Sequence, residues 1–152
     1  MLAFIAVRNF VLIPGAWLGT WVWSKVTPIL SNEGYGVYPV TITGMGDRVH
    51  LATENVGIET AIQDVVNTNE YNGLDDVVLV GHSFAANVSA SVSDRLPDRV
   101  RMIIYLDSFP PKKTREPQAS FQPDEFGEIK PGQCRINFSE AILDSIGSDV
   151  KE

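Results

Sequence analysis

Residues 76–96 read DVVLVGHSFAANVSASVSDRL, and this stretch decides the fold. Residues 77–80 (VVLV) form an unbroken apolar run, the signature of a strand buried on both faces of a parallel sheet. Gly81, His82, Ser83, Phe84 and Ala85 follow at once. Ala85, Val88, Val92 and Leu96 then recur at helical spacing until Pro97 ends the pattern. Strand, sharp turn centred on a serine, helix: in this context G-x-S-x-G becomes a nucleophile elbow. The turn lifts the serine hydroxyl off the strand end. It also sets the serine at a helix N-terminus, where partial positive charge favours a developing oxyanion. The last glycine of the motif is Ala85 here, followed by Ala86. That position must be small because helix and strand approach closely, so one added methyl is expected to show as strain or a slight shift. The plainer reading is an ordinary strand–turn–helix with a capping serine and no chemistry.

Working outward, residues 10–13 (FVLI) read as a second buried strand, broken by Pro14, Gly15, Ala16 and Trp17. Within residues 20–32, Trp23, Val26 and Leu30 share one helical face, with Pro28 as a kink or a late helix start. Residues 37–42 are a strand weakened by Pro39, and Gly44, Met45, Gly46 and Asp47 open a loop. Ile58, Ala61, Ile62 and Val65 mark a helix that ends near Asn72 and Gly73. Residues 100–106 (VRMIIYL) are the next strand. Alternating strands and helices with short loops imply right-handed βαβ units: an α/β fold with a parallel sheet flanked by helices. The strand at 100–106 is expected to form an exposed edge through which two copies would pair. Residues 1–7 (MLAFIAV) read as an N-terminal strand or arm. Residues 110–132 carry five prolines and read as an extended excursion, and residues 138–146 as a short helix with Ser139 as N-cap. The division is a core over 1–110 and a partial cap over 111–152.

Composition narrows the function. With 19 acidic and 12 basic residues the formal net charge is −7, which argues against nucleic acid or an anionic membrane surface as partner. The single cysteine, Cys134, excludes an internal disulfide. No apolar run is long enough to span a bilayer, and no basic segment with a cleavage site precedes the core, so a cytoplasmic location is the default. No metal-ligand cluster, phosphate loop or dinucleotide fingerprint is present.

Ser83 is the candidate nucleophile, and a serine hydroxyl needs a base to take its proton. In elbow hydrolases the acid and then the histidine follow the serine. The two histidines here, His50 and His82, both precede it. His82 adjoins Ser83, so its side chain leaves the elbow in another direction, and packing beneath the turn is its expected role. His50 lies in the loop after the 37–42 strand, where local hydrogen bonding is the simpler role. Asp107 ends the 100–106 strand on the carboxyl edge, where ligands bind in open α/β sheets; an acidic strand cap is its simpler role. The second oxyanion donor should come from the turn after residues 10–13. The expected donors are the backbone N–H groups of Ala16 and Phe84, each worth on the order of 3 kcal/mol at such a site. Trp17, Trp21 and Trp23 are candidates for an acyl-pocket wall, though at least one is expected in the core.

FVLIPGAWLGTWVW, VTITGMGDRVHL, DDVVLVGHSFAA and YLDSFPP, in that order, resemble an α/β-hydrolase esterase family. Its members include small carboxylesterases, plant methylesterases and hydroxynitrile lyases. The resemblance covers roughly residues 10–111. It implies a three-layer α/β-hydrolase sheet, Ser83 as nucleophile, Ala16 and Phe84 as oxyanion donors, no cofactor, and a small apolar ester as substrate. The chain departs from the pattern at Pro14, where His precedes the glycine in the family, and at Ala85 and Ala86, where the family has Gly-Gly. The family's acid and histidine lie on late strand ends without a counterpart here, and residues 110–152 resemble the start of its lid. The resemblance therefore implies an incomplete fold, truncated or degenerate, with impaired turnover by itself. Two other activities stay open: a non-catalytic remnant that binds an apolar ligand or partner, and a hydroxynitrile-lyase-like reaction at the same site.

Overall fold

The structure is a computed structural model and describes residues 8–111. The N-terminal arm, the excursion beyond residue 111 with Cys134, and the helix expected at 138–146 lie outside the described residues. Four parallel strands, β1 (Asn9–Ile13), β2 (Gly36–Pro39), β3 (Val77–His82) and β4 (Val100–Leu106), form one sheet in the order β2-β1-β3-β4. Three helices connect them: α1 (Val26–Asn32), α2 (Ile58–Tyr71) and α3 (Ala85–Arg95). Short 3-10 turns occupy Thr20–Trp23 and Gly46–Leu51.

β3 is central, as its composition requires. Val77, Val78, Leu79 and Val80 are all buried, alternately against the two layers. One layer joins Val11, Ile13, Val77 and Leu79 to Ala61, Ile62 and Val65 of α2 and Val88 and Val92 of α3. The other joins Leu12, Val78 and Val80 to Trp23, with Val22 and Leu30 packed beside them. Each fully buried Val or Leu contributes roughly 1.5–3 kcal/mol relative to exposure, so this two-sided burial is what fixes β3 as the scaffold of the turn that follows it.

The 20–32 segment takes the late helix start expected from Pro28, but the face assigned to Val26 and the length of β2 need correction. A proline at 28 would drive its ring into the carbonyl of residue 24 in a continuous helix, so the chain makes a 3-10 turn and begins α1 at Val26. Pro28 then falls in the first turn, where a missing N–H costs nothing. Trp23 is buried, but Val26 is 38% exposed and does not share its face. β2 is also shorter than 37–42. It ends at Pro39, although Val40 N–H still donates to the Leu12 carbonyl at 3.0 Å and Val40, Thr41 and Ile42 remain buried.

β4 spans the residues expected of it and is an edge strand among the described residues. Ile103 packs on the core, whereas Met102, Ile104 and Leu106, on the opposite side of the pleat, are each at least 40% exposed.

Candidate active site

The site is built where β3 meets α3. Ser83 has φ +52°, a left-handed conformation that costs a non-glycine residue about 1–2 kcal/mol. Its backbone is tied on both sides. The Ser83 N–H donates to the Leu106 carbonyl at 3.0 Å, and the Ser83 carbonyl accepts from Ala86 N–H at 3.0 Å and from Ser108 Oγ at 3.1 Å. Ser83 itself is exposed. A strained residue held by three hydrogen bonds with its side chain in the open is the geometry of an elbow.

The close approach of helix and strand falls at Gly81. A Cβ there would lie 2.8 Å from the Ala85 carbonyl oxygen and would meet Ser89 Oγ. Ala85 is fully buried and Ala86 is 3% exposed, and neither has a positive φ. Of the strain or slight shift expected at Ala85, no left-handed backbone is seen, and the residue is buried in the core between α3 and the sheet.

The turn after β1 lies against the elbow because Ile13 pairs with Gly81 across the β1–β3 ladder. Pro14, Gly15 and Ala16 consequently run beside His82, Ser83 and Phe84. Gly15 N–H donates to His82 Nδ1 at 3.2 Å, and a Cβ on Gly15 would lie 3.4 Å from Ser83 Cβ. Ala16 is half-buried in this turn, and Phe84 opens α3 and packs against the core. Ser83, Ala16 and Phe84 are thus brought to one strand edge.

The other candidates lie apart from this cluster or have structural roles. His82 packs beneath the turn, as expected, with Nδ1 occupied by Gly15. His50 is exposed on the Gly46–Leu51 turn. Asp107, with φ +47°, caps β4 next to the elbow, and no hydrogen bond joins it to either histidine among the described residues. Trp23 belongs to the core, Trp21 is 53% exposed, and Trp17 takes a positive φ of 64° while its carbonyl accepts from Gly46 N–H.

Three contributors escape a reading by motif. Ser108 anchors the Ser83 carbonyl, and its place beside Asp107 is meaningful only once β4 is known to flank β3. His82 reaches Gly15 across the sheet. Asp64 of α2 accepts from Thr43 N–H at 2.7 Å and Thr43 Oγ1 at 3.0 Å, which fixes the loop after β2. That loop borders a polar cavity of about 480 Å3 lined by Thr41, Asp47, Arg48, Asp64 and Tyr71, among others. Ser83 does not line it.

Comparisons with known proteins agree with this fold. The sequence pattern of the alpha/beta hydrolase family matches residues 10–144. The chain is 45% identical over 106 residues to a carbendazim hydrolyzing esterase of Nocardioides sp. (strain SG-4G), an alignment that covers 70% of this chain and 44% of that one. It is 29% identical over 117 residues to methylesterase 9 of Arabidopsis thaliana, covering 76% of this chain and 46% of that protein. Among solved structures, an extracellular alpha/beta-hydrolase from a Paenibacillus species superposes with a TM-score of 0.62 at 34% identity, covering 68% of this chain and 42% of that one. That hydrolase is described as sharing structural and functional homology with tobacco salicylic acid binding protein 2. The chain spans about half the length of the curated relatives it matches. No helix among the described residues is long and apolar enough to cross a membrane.

Proposed function

The chain belongs to the alpha/beta hydrolase family, and from that premise we propose that it carries the nucleophile half of a serine hydrolase acting on small carboxylic esters. The observation that carries this reading is Ser83, held left-handed at φ +52° between β3 and α3 with its side chain exposed. The names of its relatives, a carbendazim hydrolyzing esterase and a methylesterase, support the same chemistry.

In this reading Ser83 Oγ attacks the ester carbonyl carbon and the carbonyl oxygen takes the negative charge. The backbone N–H groups of Ala16 and Phe84, on either side of the Gly15–Ser83 contact, stabilise that oxygen. The tetrahedral intermediate collapses, the alcohol leaves with a proton, and water then releases the acid from the acyl-enzyme. The proton acceptor is assigned to neither histidine of this chain. His82 Nδ1 is already engaged by Gly15, and His50 sits on an exposed turn of another loop. The base is proposed to come from further sequence or from a partner chain, or to be lost, and the chain by itself is expected to show little or no turnover. A small apolar ester as substrate, a cytoplasmic setting and pairing of two copies through β4 belong to the same reading.

The test is covalent labelling. The 152-residue chain and a Ser83→Ala variant are treated with a fluorophosphonate probe, and the adduct is mapped by peptide mass spectrometry. The expected result is an adduct on Ser83 and none on the variant. An unlabelled Ser83, together with no hydrolysis of an activated acetate ester, would overturn the proposal.

A further inference from the structure

His82 is a half-buried imidazole inside the G-x-S motif that the reaction does not use. Its Nδ1 accepts the Gly15 N–H at 3.2 Å across 67 residues of sequence. The fit is close: a Cβ on Gly15 would stand 2.8 Å from Nδ1 and 3.1 Å from Cε1. Only a glycine lets the backbone lie this near the ring. Gly15 is itself buried, so no solvent replaces the imidazole as acceptor for its N–H.

The peptide that donates to His82 joins Pro14 to Gly15, and the next peptide carries the Ala16 N–H. Peptide units are planar, so two dihedrals at Gly15 separate the bonded N–H from the proposed oxyanion donor. Glycine is the residue least able to restrain those dihedrals by itself. We propose that His82 is a positioning residue. Its Nδ1 anchors the turn after β1, and the anchored turn aims the Ala16 N–H at the position of the oxyanion. An Nδ1 that accepts a hydrogen bond leaves the proton of the neutral ring on Nε2, so the device requires one tautomer. The catalytic consequence rests on the serine-hydrolase reading, whereas the bond itself does not.

Two substitutions separate the anchor from the ring. His82→Phe keeps a ring and removes the acceptor. His82→Asn places an amide oxygen near the former Nδ1. In the full chain, nitrogen NMR of labelled histidine should show His82 protonated at Nε2 and bare at Nδ1. Exchange of the Gly15 amide should quicken on the order of tenfold or more in His82→Phe and return toward the parent rate in His82→Asn. The rate of fluorophosphonate labelling at Ser83 should fall on the order of tenfold to a hundredfold in His82→Phe and recover in His82→Asn. A proton on Nδ1, or unchanged Gly15 exchange and labelling in a folded His82→Phe, would overturn the proposal. Should His82→Phe not fold, the tautomer of the parent and the labelling rate of His82→Asn decide it. Should Ser83 fail to label in every form, the hydrolase reading falls, and the tautomer and Gly15 exchange still settle whether His82 anchors the turn.

Discussion

Ser83 and Leu106 are joined through their backbones: the Ser83 N–H donates to the Leu106 carbonyl oxygen at 3.0 Å. The bond carries the β3–β4 ladder one step past His82, which pairs with Leu106. It lets β4 hold the elbow in a conformation that the serine would not choose alone. The strain is stored at Ser83 because its surroundings over-determine it.

That strain is measurable without activity. Ser83→Ala and Ser83→Gly both remove the hydroxyl, and both should abolish fluorophosphonate labelling at this position. They differ in backbone cost. Glycine accepts φ +52° freely, while alanine keeps the left-handed penalty of about 1–2 kcal/mol. Glycine loses roughly 0.5–1 kcal/mol more conformational entropy on folding. The net expectation is that Ser83→Gly is more stable than Ser83→Ala by about 0.5–1 kcal/mol, read from denaturant unfolding. A Ser83→Gly variant less stable than Ser83→Ala by about 0.5–1 kcal/mol, the glycine entropy alone, would show that the elbow is not strained.

Gly81 should be intolerant for a different reason. Its Cβ would meet the Ala85 carbonyl oxygen at 2.8 Å and the buried Ser89 hydroxyl. Backbone oxygen cannot yield as a flexible side chain does, so α3 must move away from β3. Gly81→Ala should lose about 1–3 kcal/mol of stability, the usual cost of overpacking. It should also slow labelling of Ser83, since α3 begins two residues past the serine. A variant as stable as the parent would place the helix farther from the strand than the structure has it.

Local chemistry made most of this legible in advance. β4 was readable to its ends because the mostly apolar residues 100–106, interrupted by Arg101 alone, lie between Arg99 and Asp107. α3 was readable because Ala85, Val88 and Val92 recur at helical spacing after the turn and Pro97 closes the pattern. Periodicity failed at Val26, which it placed on the face of Trp23, although the late helix start expected from Pro28 is the one observed. It overran the end of β2, which stops at Pro39, a residue whose nitrogen faces the open side of an edge strand of the described sheet, since Gly36 and Val40 donate to Arg8 and Leu12 on the β1 side. Ser83 stood out because the elbow is a contiguous motif. The contact of Gly15 with His82 did not, because it depends on the register Ile13↔Gly81 between strands far apart in sequence. Ser108 and Asp64 are hidden for the same reason. A hydroxyl or carboxylate declares its partner only after the strands have been ordered.

The free side of β4 gives a prediction about assembly. Met102, Ile104 and Leu106 are 52%, 40% and 44% exposed on an edge strand of the described sheet. An apolar edge with open backbone groups invites pairing with another chain. Light scattering across a concentration series should therefore show a mass above that of one chain, and Ile104→Lys should shift it toward the monomer. A parent chain that stays monomeric and monodisperse at every concentration would contradict this.

At the opposite end of the β3–β4 pair, Asp76 gives a pH dependence whose sign can be worked out. Arg101 Nη1 lies 3.1 Å from its carboxylate and Arg8 Nε 3.5 Å. The hydrogen bond from Arg101 is the main influence holding the Asp76 carboxyl below its usual range; Arg8 adds to it and partial burial opposes it. A carboxyl with a depressed folded pKa contributes stability that is present above its unfolded value, about 3.9, and lost as pH falls through the folded one. Asp76→Asn removes the charge but keeps a residue that tolerates the observed φ of +51°. The variant should be less stable than the parent at pH 6, and the gap should narrow as pH falls below about 3.9 and on through the lowered folded pKa. Guanidinium would screen these ion pairs, so the midpoints should be measured in urea. A gap that persists unchanged at the lowest pH would mean that Asp76 acts through its shape and not through its charge.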